Sequence, residues 1–240
     1  MRVMIPRMFC HKCGTQVSPE AQFCPNCGTS FAAAASGPAA VPAIPWTPPA
    51  TAQVQSGHWI SEGWELVKAD MGTFVLLTLI FCVLSSAVPI ILQGPMIAGM
   101  HIFIMKKLLS RRAEIADLFL GFNYFVPTLV ASVLIAIFVS VGMVLCIIPG
   151  LVVAAMYKFT YLFIVDKRMD FWPAMQASHA VVKQDYVGFT LFLLLMVLVD
   201  VLGVLCCVVG IFVAMPVTFA AITVAYKEIV GFEPRTVDAL

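Results

Sequence analysis

Charged residues are missing from three long stretches of this chain. Residues 71–105 and 118–157 contain no Asp, Glu, Lys or Arg, and 186–226 contain only Asp200. A helical bilayer crossing takes about 20 predominantly apolar residues, so each stretch has room for one or two. The pattern predicts an all-α membrane bundle of about six transmembrane helices over residues 58–232. Before it lie an N-terminal module (1–30) and an Ala/Pro-rich linker (31–57), and after it a short polar tail (233–240).

Three parts of the apolar region look alike. Each has an amphipathic lead-in, a polar residue, a long apolar run, a Gly/Pro turn, and a second run ending in charge. The polar marker precedes the turn glycine by 24, 27 and 25 residues (Asp70 to Gly94, Asn123 to Gly150, Asp185 to Gly210). Val-Lys-x-Asp occurs at Val67–Asp70 and again at Val182–Asp185. A threefold hairpin repeat explains this, and so does the general likeness of hydrophobic hairpins. The first hairpin fits least well. From Gly94 to Lys106 a helix rises only about 18 Å, so either its turn lies earlier, near Ser85, Ser86 and Pro89, or lysine snorkelling makes up the length.

Basic residues set the expected orientation. In a six-helix arrangement thirteen of the fourteen Lys and Arg fall on the side of the N-terminus, and Lys158 is the exception. Met1 to Phe9 also lack the apolar run of a signal peptide. Both termini are therefore expected in the cytoplasm, with the protein in the inner (cytoplasmic) membrane. Two lead-in segments have helical amphipathic spacing. Trp59, Ile60, Trp64 and Val67 oppose Glu62, Glu65 and Lys68, and Phe171, Met175, Val181 and Val182 flank His179 and Lys183. Helices lying on the cytoplasmic leaflet would read this way; the alternative is a soluble amphipathic helix that packs on a partner.

Composition agrees. Hydrophobic residues make up 61% and charged residues 11%, whereas a soluble domain carries about 25% charged residues. The net charge of +1 gives no field that would favour nucleic acid.

Cysteine placement singles out the N-terminal module. Cys10, Cys13, Cys24 and Cys27 form CxxC-x10-CxxC, with a glycine after each pair (Gly14, Gly28). Two residues between thiolates let both reach one ion, and four cysteines complete a closed tetrahedral Zn2+ site, structural rather than catalytic. A segment of about 20 residues cannot fold on an apolar core alone, so the metal must hold it. A redox CxxC is the competing reading, but one pair would suffice for it. Cys82, Cys146, Cys206 and Cys207 lie in apolar runs, where cysteine behaves as a small hydrophobe. The Phe-Cys-His-Lys-Cys-Gly and Phe-Cys-Pro-Asn-Cys-Gly-Thr segments resemble the short zinc ribbons at the N-termini of many bacterial and archaeal membrane proteins. That resemblance implies no particular activity.

Lys158 and Asp200 are ionisable groups inside apolar runs. Such groups cost at least about 2.5–3.5 kcal/mol at mid-membrane and are normally paired or line a cavity. Lys158 lies eight residues after Gly150 and Asp200 ten before Gly210, so both sit about 12–15 Å from their turns. Equal depth suggests a pair, and His101, seven residues after Gly94, joins it if that turn is the right one. The three form either a polar site for an ion, proton or headgroup, or a pair that fixes helix register.

The Ile148-Pro149-Gly150 turn, the Ala174–His179 segment and the order of apolar runs resemble six-helix bacterial membrane families related to the membrane half of glycerophosphodiester phosphodiesterases. The phosphodiesterase catalytic domain has no counterpart here, so the resemblance implies the helical fold without that activity. No nucleophile constellation, nucleotide loop or catalytic metal motif is visible. The expectation is a non-enzymatic protein whose ribbon docks a protein partner while the bundle, in the lipid bilayer, serves as anchor or scaffold. The alternative is a small transporter or lipid-handling protein using the region of Lys158 and Asp200. Nucleic-acid binding is the weakest reading, because residues 9–30 hold one lysine and no arginine.

Overall fold

The structure, a computed structural model, describes residues 8–9, 13, 15–17, 26–27, 46–49, 52–205, 210–234 and 236. It divides into two units, Met1–Trp46 and Thr47–Leu240. In the first, β1 (Met8–Phe9) pairs antiparallel with β2 (Gln16–Val17), Phe9 opposite Gln16.

The second unit is helical: α1 (Ser56–Ala69), α2 (Met71–Ala87), α3 (Pro89–Leu108), a 3-10 segment (Ile115–Tyr124), α4 (Phe125–Leu145), α5 (Ile147–Met156), α6 (Thr160–Asp166), α7 (Phe171–Val182), α8 (Tyr186–Leu205) and α9 (Ile211–Ile229). The last residues of the expected linker belong to this unit. Ala52 is buried, and the Pro49 carbonyl accepts a hydrogen bond from Gln184 Nε2 at 2.8 Å.

Among the described residues, four helical stretches are long and apolar enough to cross a membrane: Ile115–Leu145, Ile147–Asp166, Tyr186–Leu205 and Ile211–Ile229. A fifth is counted if α1 and α2, bent by 99° at Asp70, act as one. The expected six are not reached on these terms, for reasons visible in α2 and α3. At 17 residues α2 rises about 25 Å. In α3 the apolar character is diluted by Gly94, Pro95, Gly99, His101, Lys106 and Lys107, yet its residues Met96, Met100 and Ile102–Met105 are almost wholly buried. A helix enclosed by its neighbours does not need the lipid-facing hydrophobicity that α4 and α8 show, with Val126, Val144, Val187, Leu191 and Leu205 all exposed.

The first turn falls at Val88, not at Gly94. Pro89 occupies the first position of α3, where its missing N–H has no helical partner to lose. Its ring keeps Val88 out of the helical region, at φ −141°. α3 therefore has 20 residues and full bilayer length. Gly94 and Gly99 have another use. A Cβ on Gly94 would strike the Thr128 backbone of α4, one on Gly99 the Leu118 backbone of the 3-10 segment, and one on Gly121 the Pro95 carbonyl. The missing side chains let that segment lie directly on α3. It is pinned there by Lys106 Nζ, 2.7 Å from Asp117 Oδ1, while Asp117 Oδ2 also accepts the Glu114 N–H at 2.8 Å.

The lead-in helices pack on protein. Trp59, Gly63 and Val67 of α1 are buried, and a Cβ on Gly63 would come within 2.8 Å of Ala221 N of α9. The Trp59 indole lies edge-on to Phe192 at 5.0 Å. Trp64, expected on the same apolar face, is exposed. On α7 the face Ala174, Met175, Ala177, Ser178, Val181 and Val182 is buried. The three expected hairpins thus differ: the first is led in by a helix bent by 99° from it, the second by a 3-10 segment and with its second run interrupted at residues 157–159, and the third joins α8 and α9.

Candidate functional site

The ribbon's geometry begins with its hairpin. β1 and β2 flank the first CxxC, so the chain reverses where Cys13 stands. Cys13 Sγ lies 3.2 Å from Thr15 Oγ1, and Asn26 Nδ2 donates to the same oxygen at 3.1 Å. Thr15 therefore ties the first cysteine pair to the residue beside Cys27 in the second. Cys13 and Cys27 are half-buried. Cys10 and Cys24 lie outside the described residues. The bridge links the segments that carry Cys13 and Cys27, and the four cysteines of the sequence suit Zn2+, which would hold the fold and leave no position for substrate.

In the bundle, the polar region centres on a broken helix. α5 ends at Met156 and α6 starts at Thr160, with Tyr157, Lys158 and Phe159 in the break. Interrupting a helix inside apolar surroundings frees backbone groups that must find partners. Ser178 of α7 supplies them. Its hydroxyl donates to the Met156 carbonyl at 2.6 Å and accepts from the Phe159 N–H at 3.2 Å. Lys158 borders a cavity of about 10 Å3 lined by Ala155, Phe159, Phe189, Phe192, Leu193 and Met196, about the space of a single water.

The charges of Lys158 and Asp200 act on each other, though no ion pair closes between them. Asp200 Oδ1 instead lies 3.4 Å from Thr218 Oγ1 of α9. His101 is buried on α3 and also lies within reach of the Lys158 charge. Its own partner is Thr223 Oγ1, 2.8 Å from Nδ1. Because the Thr223 hydroxyl donates to the Phe219 carbonyl at 2.9 Å, it accepts from the imidazole, which assigns the proton to Nδ1. The three candidate residues thus occupy one electrostatic neighbourhood, each with separate contacts. Sequence reasoning did not single out Ser178, although a serine among Ala174, Ala177 and Val181 on a buried face was a legible sign.

A second polar cluster ties down the tail. Asp166, buried at the end of α6, accepts from Tyr226 Oη at 3.0 Å and from the Glu233 N–H at 2.9 Å. Lys167 Nζ lies 3.1 Å from Glu233 Oε2, and Thr236 Oγ1 donates to the Asp166 carbonyl at 2.6 Å.

Fold and sites together define a mostly helical protein with membrane-compatible spans and an N-terminal zinc module. Residues 9–31 match the zinc-ribbon domain family. That match covers the module alone, and no family is shown for the membrane half. No curated protein and no solved structure matches the chain.

Proposed function

We propose that this chain is a non-enzymatic membrane anchor that carries a structural-zinc module for docking a protein partner. The division into two compact units carries this reading: a zinc ribbon on one side of Trp46, and a helical body on the other. Ion pairs within the body support it. Lys106 binds Asp117, Lys107 binds Asp70 and Lys167 binds Glu233, so these charges serve packing. The distribution of lysine and arginine supports an inner-membrane orientation with both termini in the cytoplasm.

Site-specific photo-crosslinking from the Lys12 position in cells tests the proposal. A discrete protein adduct is expected, lost in Cys13→Ser and Cys27→Ser but retained when Lys158 and Asp200 are both replaced. Identical labelling with and without the zinc ligands would overturn it.

The interrupted stretch of α5 and α6 favours a second reading, a small transporter or lipid-handling protein using Lys158 and Asp200. Interrupted helices at membrane depth with ionisable groups in the break are a recurrent way to line a solute site. The same double replacement then abolishes flux while the protein stays folded.

A further inference from the structure

We propose that His58, Glu62 and Glu228 bind a divalent transition-metal cation of the zinc class, at a site separate from the four-cysteine ribbon. His58 and Glu62 stand one turn apart on α1, a spacing that puts both side chains on one face of the helix. Glu228 comes from the last turn of α9. The two helices are held in register by the seat of Gly63 against Ala221 and by buried Trp59. His58 Nε2 lies 3.5 Å from Glu62 Oε1 and 3.0 Å from Glu228 Oε1. All three ligand atoms fall within 4.8 Å of one another. Zinc bonds to imidazole nitrogen and carboxylate oxygen are about 2.0–2.2 Å long, so tetrahedral ligand edges are about 3.3–3.5 Å. The two separations from His58 lie close to those edges, and the third, between the two carboxylates, is at most 4.8 Å, so a shift of the exposed Glu62 side chain closes the set.

The second oxygen of Glu228 is occupied. Trp59 Nε1–H donates to Oε2 at 2.6 Å, from an indole that is itself fully buried. That bond fixes the carboxylate so that Oε1 turns toward His58, the role outer-shell donors play around bound metals. One imidazole nitrogen with two carboxylate oxygens suits zinc, cobalt, nickel or manganese better than calcium or magnesium, which prefer all-oxygen surroundings. Three protein ligands leave a position open to water or to a donor from another molecule. All three residues are exposed, so the cation would arrive directly from the aqueous phase. A protonated His58 bridging two carboxylates would use the same atoms, and the experiment separates the two.

Full-length protein in detergent, with its ribbon zinc-loaded, is titrated calorimetrically with Zn2+. A second, weaker equivalent is expected, reduced roughly tenfold or more by His58→Ala and by Glu228→Gln. It should persist in Glu65→Gln, a control for surface charge, and in Cys10→Ser, which removes only the ribbon equivalent. Glu228→Gln keeps an acceptor for Trp59, and His58→Ala lies at an exposed helix start, so at least one variant folds. No second equivalent in the natural sequence, or one that survives both substitutions, would overturn the proposal and identify the cluster as an ion-pair bridge between α1 and α9.

Discussion

Ser178 on α7 holds the Met156 carbonyl at 2.6 Å at the point where α5 ends, before α6 resumes the helix. The Ser178 hydroxyl oxygen in turn accepts the Phe159 N–H at 3.2 Å. Ser178→Ala therefore strands one acceptor and one donor in a buried setting and should cost about 1–3 kcal/mol for each group left unsatisfied. Thermal unfolding in detergent measures it, with a lowered midpoint expected for Ser178→Ala and almost no shift for Ser132→Ala, whose hydroxyl bonds to Leu129 of its own helix α4.

Lys158 and Asp200 interact without touching, so their coupling should be smaller than the about 3–5 kcal/mol lost when a contacting buried pair is broken. Lys158→Met and Asp200→Leu should each destabilise the bundle, and the double change should recover part of the loss. Additive losses in the double mutant would remove the coupling. A folded double mutant that loses flux would favour transport over anchoring.

Gly99 and Gly72 make a contrasting pair. A methyl on Gly99 meets the Leu118 backbone, whereas nothing lies within 4 Å of one on Gly72. Gly99→Ala should unseat the 3-10 segment at a cost of at least about 1–3 kcal/mol. Gly72→Ala should stabilise α2 by up to about 1 kcal/mol. Parallel melting curves with shifts of the same sign would contradict this.

Asp70 stands at the α1–α2 bend, where the apolar run begins. Hydrogen bonds from Lys107 Nζ at 2.6 Å and from Thr73 Oγ1 at 2.7 Å hold its carboxyl below the usual 3.8. A folded-state value below the unfolded one means the contribution is fully present above pH 3.8 and lost as pH falls through the lower folded value. With over a third of the Asp70 side chain exposed, solvent keeps the contribution small. The stability gap between the natural protein and Lys107→Met should be flat from about pH 5 to 8 and close at strongly acidic pH. A gap that widened on acidification would refute the assignment.

Removing zinc should unfold the ribbon and spare the bundle. A chelator that strips the four-thiolate site should collapse the dispersed amide signals of residues 9–31 while far-UV helicity stays constant, because binding energy is folding energy only in the small module. Metal analysis should find the tightly held equivalent gone in Cys10→Ser.

Helical content and the membrane-compatible spans were legible because they depend on composition summed over 20 residues, and a helix satisfies its own backbone groups within such an apolar run. The ribbon was legible because CxxC spacing is a local geometric demand. Even the first turn had its sign in Pro89, a rule of backbone sterics acting on adjacent residues. Gly94 misled the repeat, since a glycine reads alike whether it serves a turn or a close helix contact. The faces of α1 and α7 could not be assigned to lipid or protein, because amphipathic spacing tells which side is apolar and not what covers it.

What the sequence by itself determined is therefore local or additive: the apolar stretches, the linker composition, the cysteine spacing and the positions of isolated charges. Only the tertiary structure decided that Ser178 would heal the break beside Lys158, that Asp200 would lean on Thr218, and that Glu228 would meet His58 across 170 residues. Those contacts depend on helix rotation and axial shift. Periodicity leaves both free, and between α1 and α9 the seat of Gly63 against Ala221 fixes them.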